Sequence, residues 1–211
     1  MMKFISIISL FLSTLSSQEL TSTEILEKIR LHYSQMNDAS ASFTQLTTIR
    51  YKKGSQQSLG TVKIKKGNKY RLETDKQTIV TDGKTVWMFN AISKQVLRDT
   101  YKQNLQPFSP DKFLLGLPKE FSAANVTRDS QYFVLGLVPS ATGATASMFS
   151  SLKVWIRPEI WEFEKIEITD KNNSITTITL SNTDFNKGIS DTVFQFVITD
   201  DMKLVDLTKI Q

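Results

Sequence analysis

The chain has 211 residues, with 26 Lys and Arg against 21 Asp and Glu, one histidine, no cysteine and 40% hydrophobic residues. This length suits one large globular domain or two small ones, and we expect one. The absence of cysteine excludes a disulfide framework, a thiol nucleophile and any metal site with thiolate ligands. With His32 as the one imidazole in the sequence, two-histidine metal motifs within the chain are excluded as well.

The first 17 residues have the pattern of a secretory signal peptide. Lys3 supplies a positive charge, an apolar stretch follows over residues 4–15, and the small residues Ser16 and Ser17 come next. This stretch is too short for a membrane anchor, which needs about 20 apolar residues. We predict a cleaved signal at residues 1–17 and a single exported domain over residues 18–211. Without Lys3 the net charge falls from +5 to +4.

A capped amphipathic helix is predicted at the start of the mature chain. Thr21 precedes Glu24 by three residues, which is the spacing of a capping box, and apolar residues then recur at helical spacing. The pattern predicts a helix over residues 22–36. From residue 39 the hydrophobic period changes to two, which predicts a strand over residues 39–49.

Short strands separated by turn residues follow at intervals of about 8 to 12 residues. Asp82-Gly83 is the clearest hairpin signal. Between two groups of strands, Ser109-Pro110 favours a short apolar helix over residues 112–115. The further strands are predicted at residues 59–65, 70–74, 77–81, 84–89, 95–99, 132–138, 152–156, 166–169, 174–180 and 194–198.

This count of about eleven strands and few helices predicts an α+β, mainly β fold. Strands joined by short loops pair antiparallel, because parallel neighbours need crossover connections. The helices are too few to cover both faces of so large a sheet, so the sheet must curl on itself. We expect a curled antiparallel sheet with the helices laid across its concave side, around either a filled core or an apolar cavity.

The sequence contains no clear motif for catalysis or metal binding. Asp82-Gly83-Lys84-Thr85 resembles the end of a phosphate-binding loop, but Thr78 stands where that loop needs its first glycine. His32 lies on the predicted helix with no nucleophile motif nearby, so we expect it at the surface or boundary of the fold. We predict no enzymatic activity, no catalytic residue, no metal site and no cofactor.

Basic residues cluster on two predicted strands and the turn between them. The cluster consists of Lys63, Lys65, Lys66, Lys69 and Arg71. Lys63 and Lys65 alternate with apolar residues, which is typical of the solvent face of a half-buried strand. A docking surface for an anionic partner is the alternative, and export disfavours nucleic acid as that partner.

Several segments, taken in order, resemble the LolA family of carriers that move lipoproteins to the outer membrane of Gram-negative bacteria. After the exported N-terminus and the first helix, these segments are ASFTQ at 41–45, GTVKIKKGNKYRL at 60–72, TDGKTVWMFN at 81–90, VWIRP at 154–158 and FQF at 194–196. The resemblance covers nearly the whole mature chain. It implies an incomplete β-barrel in the periplasm, with helices as a lid over an apolar cavity.

The resemblance also implies a function and partners. A carrier of this family takes the acyl chains of an outer-membrane lipoprotein from an ATP-driven inner-membrane transporter and passes them to an outer-membrane acceptor. We expect this chain to do so as a monomer. The alternatives are a periplasmic carrier of other lipids or glycolipids, a lipoprotein sensor resembling RseB, an enzyme on the same scaffold, and a domain with a filled barrel.

Specific residues follow from the same resemblance. Lys66 stands where the family typically has an arginine that helps to hold the lid closed, so Lys66 is the predicted latch, without the planar donors of a guanidinium. Tyr70 occupies an aromatic position near the mouth, and Leu72 the place of a cavity-lining tryptophan. The predicted lipid-binding residues are Ile25, Ile29, Tyr33, Phe113, Leu114 and Leu115 on the moving side, and Phe43, Ile64, Tyr70, Leu72 and Trp87 on the sheet.

Overall fold

The computed structural model describes residues 19–51, 54–101, 117, 120–140 and 148–209. The predicted signal segment and the predicted helix at residues 112–115 lie outside these ranges. The described elements are helix α1 (Ser22–Ser34), strands β1 (Asp38–Thr48), β2 (Ser55–Lys65), β3 (Lys69–Thr74), β4 (Gln77–Asp82), β5 (Thr85–Asn90), β6 (Gln95–Thr100), β7 (Phe121–Arg128), β8 (Phe133–Pro139), β9 (Phe149–Arg157), β10 (Glu162–Asp170) and β11 (Ile175–Phe185), a 3-10 helix (Asp191–Phe194) and strand β12 (Lys203–Asp206).

Helix α1 begins at the predicted capping box. The Thr21 hydroxyl accepts a hydrogen bond from the Glu24 backbone N–H (3.2 Å), and the Glu24 carboxylate accepts one from the Thr21 N–H (2.8 Å). That backbone hydrogen bond is the main reason why the pKa of the Glu24 carboxyl lies below its usual value. The predicted helix is confirmed, although it ends at Ser34 rather than at residue 36.

The twelve described strands form one curled sheet that does not close into a barrel. Their order is β12-β6-β5-β4-β3-β2-β1-β11-β10-β9-β8-β7. Two antiparallel meanders, β1 to β6 and β7 to β11, therefore meet where β1 pairs with β11. The short strand β12 departs from the antiparallel pattern, since it pairs parallel with β6. The predicted mainly β, curled and open sheet is confirmed.

Three details of the strand prediction are wrong. Residues 194–198 are not a strand, because Phe194 ends the 3-10 helix and Phe196 packs its ring against Phe89, with the ring centroids 6.0 Å apart. The alternation of apolar residues there reflects two packed rings rather than a ladder. The prediction omits β7, whose segment SAAN lacks a clear alternation of apolar and polar residues, and it omits β12, which has only four residues.

The two faces of the sheet differ because successive residues of a strand point to opposite sides and paired residues share a side. One face, which we call the concave face, is covered in part by α1. The apolar side chains of α1 and of this face form one buried core. Its strand members on the concave face include Leu135, Val154, Ile166, Leu180, Phe43, Val62, Ile64 and Tyr70.

The opposite, convex face is covered over β3 to β6 by the C-terminal segment, residues 187–209. Phe194 is fully buried there, and so are Val80 of β4 and Val96 of β6 on the face beneath it. Further along the segment, β12 adds to the edge of the sheet beside β6. The open sheet therefore has a second, smaller core on its outer side.

Part of the basic cluster holds this C-terminal segment in place. The Asp191 carboxylate forms ion pairs with Lys65 (2.7 Å) and Lys69 (2.6 Å). Arg71 donates hydrogen bonds to the backbone carbonyls of Val193 and Gln195 (3.4 Å each). All three basic side chains bind groups of the C-terminal segment. They are therefore neither a fully solvated strand face nor a free docking surface for a partner.

Replacing Phe194 with alanine should strongly destabilise the fold. The ring is fully buried, and removal of a buried phenylalanine side chain lowers the free energy of unfolding by about 3–5 kcal/mol. Val197 is 76% exposed, so Val197→Ala is the matched control and should change stability by no more than about 0.5 kcal/mol. Urea unfolding followed by circular dichroism measures both, and equal stabilities of the two variants would contradict this role of Phe194.

Asp191 should make stability depend on acid pH. Its hydrogen bonds to Lys65 and Lys69 lower the pKa of the carboxyl from 3.8 to about 2. Because the folded state has the lower pKa, this stabilisation is present above 3.8 and is lost as the pH falls towards 2.

In Asp191→Asn we therefore expect a smaller loss of unfolding free energy across that pH window than in the parent chain. Urea titrations at several acid pH values measure the difference. Asp200 is exposed and has no ion pair among the described residues, so Asp200→Asn serves as the control. The same pH dependence in Asp191→Asn as in the parent chain would argue against the ion pairs.

Candidate functional site

The structure brings six of the predicted lipid-binding residues together in one buried core. All six are buried members of one core, three on the helix and three on the concave face of the sheet. They are Ile25, Ile29, Tyr33, Phe43, Ile64 and Tyr70. Their side chains are closed off from solvent, except that Phe43 also lines a groove at the end of β3.

Tyr33 fastens the last turn of α1 to the sheet. Its ring stacks on Phe163 with the centroids 4.5 Å apart, and its hydroxyl accepts a hydrogen bond from the Phe163 backbone N–H (2.9 Å). Burial raises the pKa of the Tyr33 hydroxyl. The cavity between Tyr33 and strands β1, β2 and β11 has a volume of about 10 Å³, which leaves room for no more than one water. The space below this end of the helix is therefore filled by side chains.

Leu72 lies on the same face but is only half-buried. It pairs with Ile79, which pairs with Met88, which in turn pairs with Leu97. These four residues, which we call the open row, run across β3 to β6, and all are half-buried. The concave face thus continues from a closed part under α1 into a more exposed apolar part.

Sequence reasoning missed three members of the open row. Ile79, Met88 and Leu97 lie in three correctly predicted strands. In each strand the residues on either side of them are polar or point to the convex face. The usable signal was the hairpin register: once Leu72 is assigned to the concave face, the short turns place its cross-strand partners there too.

The grouping of Trp87 with the concave residues is wrong. Trp87 pairs with Val80 and Arg98, and Val80 pairs with Arg71, whose side chain contacts the C-terminal segment. Trp87 is therefore on the convex face. The segment Val-Trp-Met-Phe is apolar on both sides of the strand, so alternation could not show which side faces the concavity.

The remaining predicted residues of the moving side, Phe113, Leu114 and Leu115, lie outside the described residues. Nearby Leu117 is described, and it is buried in the same core as α1.

Lys66 connects the turn after β2 to the end of α1. Its ammonium donates a hydrogen bond to the Ser34 carbonyl (3.0 Å), and its backbone N–H donates to the Asn37 carbonyl (2.9 Å). Ser34 is the last residue of α1, where free carbonyls and the helix dipole favour a positive charge. The Lys66 side chain thus joins the β2–β3 turn to the end of the helix, and its role as a latch stays a prediction.

The concave face offers apolar contact rather than reactive groups. Within the described ranges, no group of three His, Asp or Glu side chains is arranged to hold a metal ion. His32 is half-buried at the end of α1, with its ring edge-on to Tyr33 and Phe185 at centroid distances of 5.4 and 6.4 Å. None of the helices in the described part of the chain is long and apolar enough to cross a membrane.

Comparison with known proteins assigns the family. The sequence model of the outer membrane lipoprotein carrier protein LolA matches residues 34–197. The chain belongs to the LolA family. Among curated relatives, the outer-membrane lipoprotein carrier proteins of Coxiella burnetii and Haemophilus influenzae are 26% and 28% identical to it. These alignments cover 91% of the chain and 92% of the first relative, and 88% of the chain and of the second.

A solved structure supports the fold. An uncharacterized conserved protein from Thermus thermophilus superposes with a TM-score of 0.55 at 14% identity, over 87% of this chain and 97% of the other. At this identity the likeness concerns the fold alone. The curled sheet described above is therefore shared with that protein.

Loss of the Lys66 charge should loosen the end of α1. A cation at a helix C-terminus contributes about 0.3–1 kcal/mol, so Lys66→Met should speed amide hydrogen exchange in the last turn by about two- to fivefold. Lys66→Arg keeps the charge and should exchange at close to the parent rate. Lys171→Met removes an exposed lysine from the β10–β11 turn and is the control. Unchanged exchange in Lys66→Met would show that the hydrogen bond to Ser34 does not secure the helix.

Proposed function

We propose that the chain is a periplasmic carrier that holds the acyl chains of lipoproteins on its concave face and moves them from the inner to the outer membrane. Membership of the LolA family and the names of its relatives support this proposal. The structural observation that carries it is the open row, an apolar strip on the concave face that continues the core under α1. Carriage needs no catalytic group, and we propose that the protein is not an enzyme.

An acyl chain and α1 compete for the same apolar face in this proposal. The helix buries Ile25, Leu26, Ile29 and Tyr33, and at about 1.5–3 kcal/mol for each side chain their burial contributes about 6–12 kcal/mol. An acyl chain of about 16 carbons gains on the order of 12 kcal/mol on burial. Because the two quantities are similar, cargo can replace the helix without a large net change in free energy.

That balance accounts for release as well as uptake. A membrane stabilises an acyl chain about as well as the carrier does, so a carrier must bind the chain weakly enough to give it up. Return of α1, with Ile25, Ile29 and Tyr33 on its inner side and Lys66 at its end, supplies the competing interaction. The residues Phe113, Leu114 and Leu115 belong to the same moving side in this proposal.

The surrounding steps follow from the proposed activity. Residues 1–17 direct the chain to the periplasm, and residues 18–211 act there as a single monomeric domain. An ATP-driven transporter of the inner membrane loads the lipoprotein, and an acceptor at the outer membrane removes it. In this proposal the transporter supplies the work of extracting acyl chains, because moving them from a membrane into water costs about 0.8 kcal/mol for each CH₂ group.

A lipopeptide with two palmitoyl chains should bind the mature chain in a 1:1 complex, detected by native mass spectrometry. Leu72→Arg should weaken binding about tenfold or more, because an unpaired guanidinium in an apolar site costs several kcal/mol. Leu204→Arg is the matched control, since Leu204 is 40% exposed and lies on the convex face opposite Val96. Circular dichroism should show both variants folded.

Two outcomes would count against this proposal. Equal lipopeptide binding by both variants would show that the concave face does not bind the acyl chains. Preferential binding of a free phospholipid over the lipopeptide would favour a carrier of other lipids.

A further inference from the structure

Strand β2 is longer than its neighbour β3, so part of its edge has no described strand beside it. Residues 55–65 all pair with β1, but only residues 60–65 pair with β3. Residues 55–59, which we call the free edge, therefore have no strand beside them on that side in the described part of the chain. Alternate residues of such an edge direct their N–H and C=O groups outward, ready to pair with another strand.

The two ends of the sheet are protected against such pairing, whereas the free edge is not. Strand β12 has four residues and carries Lys203 and Asp206. Strand β7 contains a bulge between Ala123 and Asn125. Short length, charge and bulges are the usual means of protecting an edge. The free edge, with the sequence SQQSL, has no charge, no proline and an unbroken register with β1.

A groove of about 470 Å³ lies beside the free edge, at the point where β3 ends. Gly60 lies in it, and a side chain there would collide with the Glu73 carbonyl and come within 2.6 Å of the Phe43 ring. The described lining includes two carboxylates and no basic side chain. Arg71 pairs with Glu73 (2.6 Å), whereas the exposed Asp75 has no ion pair among the described residues.

Exposed leucines lie next to this groove on the convex face. Leu59 is 62% exposed and pairs with Thr44, and Leu46 is 39% exposed and pairs with Gln57. The two leucines are thus diagonal neighbours on adjacent strands, a spacing that side chains of a third strand can contact. The surface combines two apolar side chains with backbone groups and one carboxylate that have no strand or ion-pair partner within the described ranges.

We propose that the free edge is a docking site for an extended segment of a partner polypeptide. This segment pairs with residues 55–59 as an added strand, over roughly 16 Å of β2. Its apolar side chains lie over Leu46 and Leu59, and a basic side chain faces Asp75. The two leucines of this site lie on the convex face, away from the open row, although Phe43 of the concave core also lines the groove.

Amide hydrogen exchange of the mature chain tests this, with the blocked hexapeptide acetyl-VTVTVK-amide as the probe. At a peptide concentration of ten times Kd, alternate amides within residues 55–59 should exchange about tenfold more slowly, because exchange then occurs from the unbound fraction. The peptide acetyl-VPVPVK-amide, which lacks the alternate N–H donors, should give no slowing. The amides of β7 and β12 should be unaffected by either peptide.

Two results would overturn the proposal. One is unchanged exchange at residues 55–59 with saturating hexapeptide. The other is slowing that rises with protein concentration in the absence of peptide, which would assign the edge to a second copy of this chain.

Asp75→Asn tests the basic side chain separately. An exposed ion pair contributes about 0.2–1 kcal/mol, so this variant should bind the hexapeptide up to about fivefold more weakly. Asp200→Asn, which neutralises an exposed carboxylate outside the groove, should bind it as the parent chain does. Equal affinity of the two variants would refute the contact with Asp75. Lipopeptide binding should be the same in both variants, so this test is separate from that of the carrier function.

Discussion

In the described part of the chain, an open, curled sheet of twelve strands leaves an apolar concave face that must be covered, and the rest of this structure depends on that constraint. In a closed barrel the strands would enclose their own core, but here β7 and β12 remain apart at the two ends. Helix α1 supplies the cover for one part of the concave face, and Tyr33 and Lys66 fasten its C-terminal end. The open row lies on the part of that face where the side chains are only half-buried.

The convex core gives the sheet a source of stability that does not involve α1. Phe194 packs on the side of the sheet opposite to the helix, and Asp191 ties the segment to Lys65 and Lys69. If α1 moves away from the concave face, these contacts are unchanged. In the proposed function, α1 can therefore leave the concave face while the contacts on the convex face keep β3 to β6 together. A carrier of this kind would need its sheet to stay folded while the concave face is exposed, and the convex core provides that stability.

Local patterns predicted much of the fold. The capping box at Thr21 and the Asp82-Gly83 turn are determined by neighbouring residues, and both are present: the Asp82 carboxylate accepts hydrogen bonds from the Lys84 and Thr85 N–H groups (2.8 Å each). Antiparallel pairing followed from the short connections. These features can be predicted without knowing which residues distant in sequence are in contact.

The errors arose where the side of the sheet or a distant partner decides the structure. Trp87 is flanked by apolar residues, so its side is fixed only by pairing with Val80 and Arg98. Phe194 and Phe196 mimic a strand because each packs a ring on the convex face. The short β12 depends on β6, which lies far from it in sequence. Membership of the open row likewise required the register of three hairpins rather than the pattern of one strand.

In the proposed function, acyl chains lie on the concave face, along the open row and against the inner side of α1. A lipopeptide whose palmitoyl chain ends in a photoreactive diazirine tests it directly, with cross-linked positions mapped by mass spectrometry. We expect cross-links to residues of the open row, such as Met88 and Leu97, and to the buried side of α1, such as Ile29. Cross-links concentrated on convex residues such as Trp87 and Phe89 would contradict this position of the acyl chains.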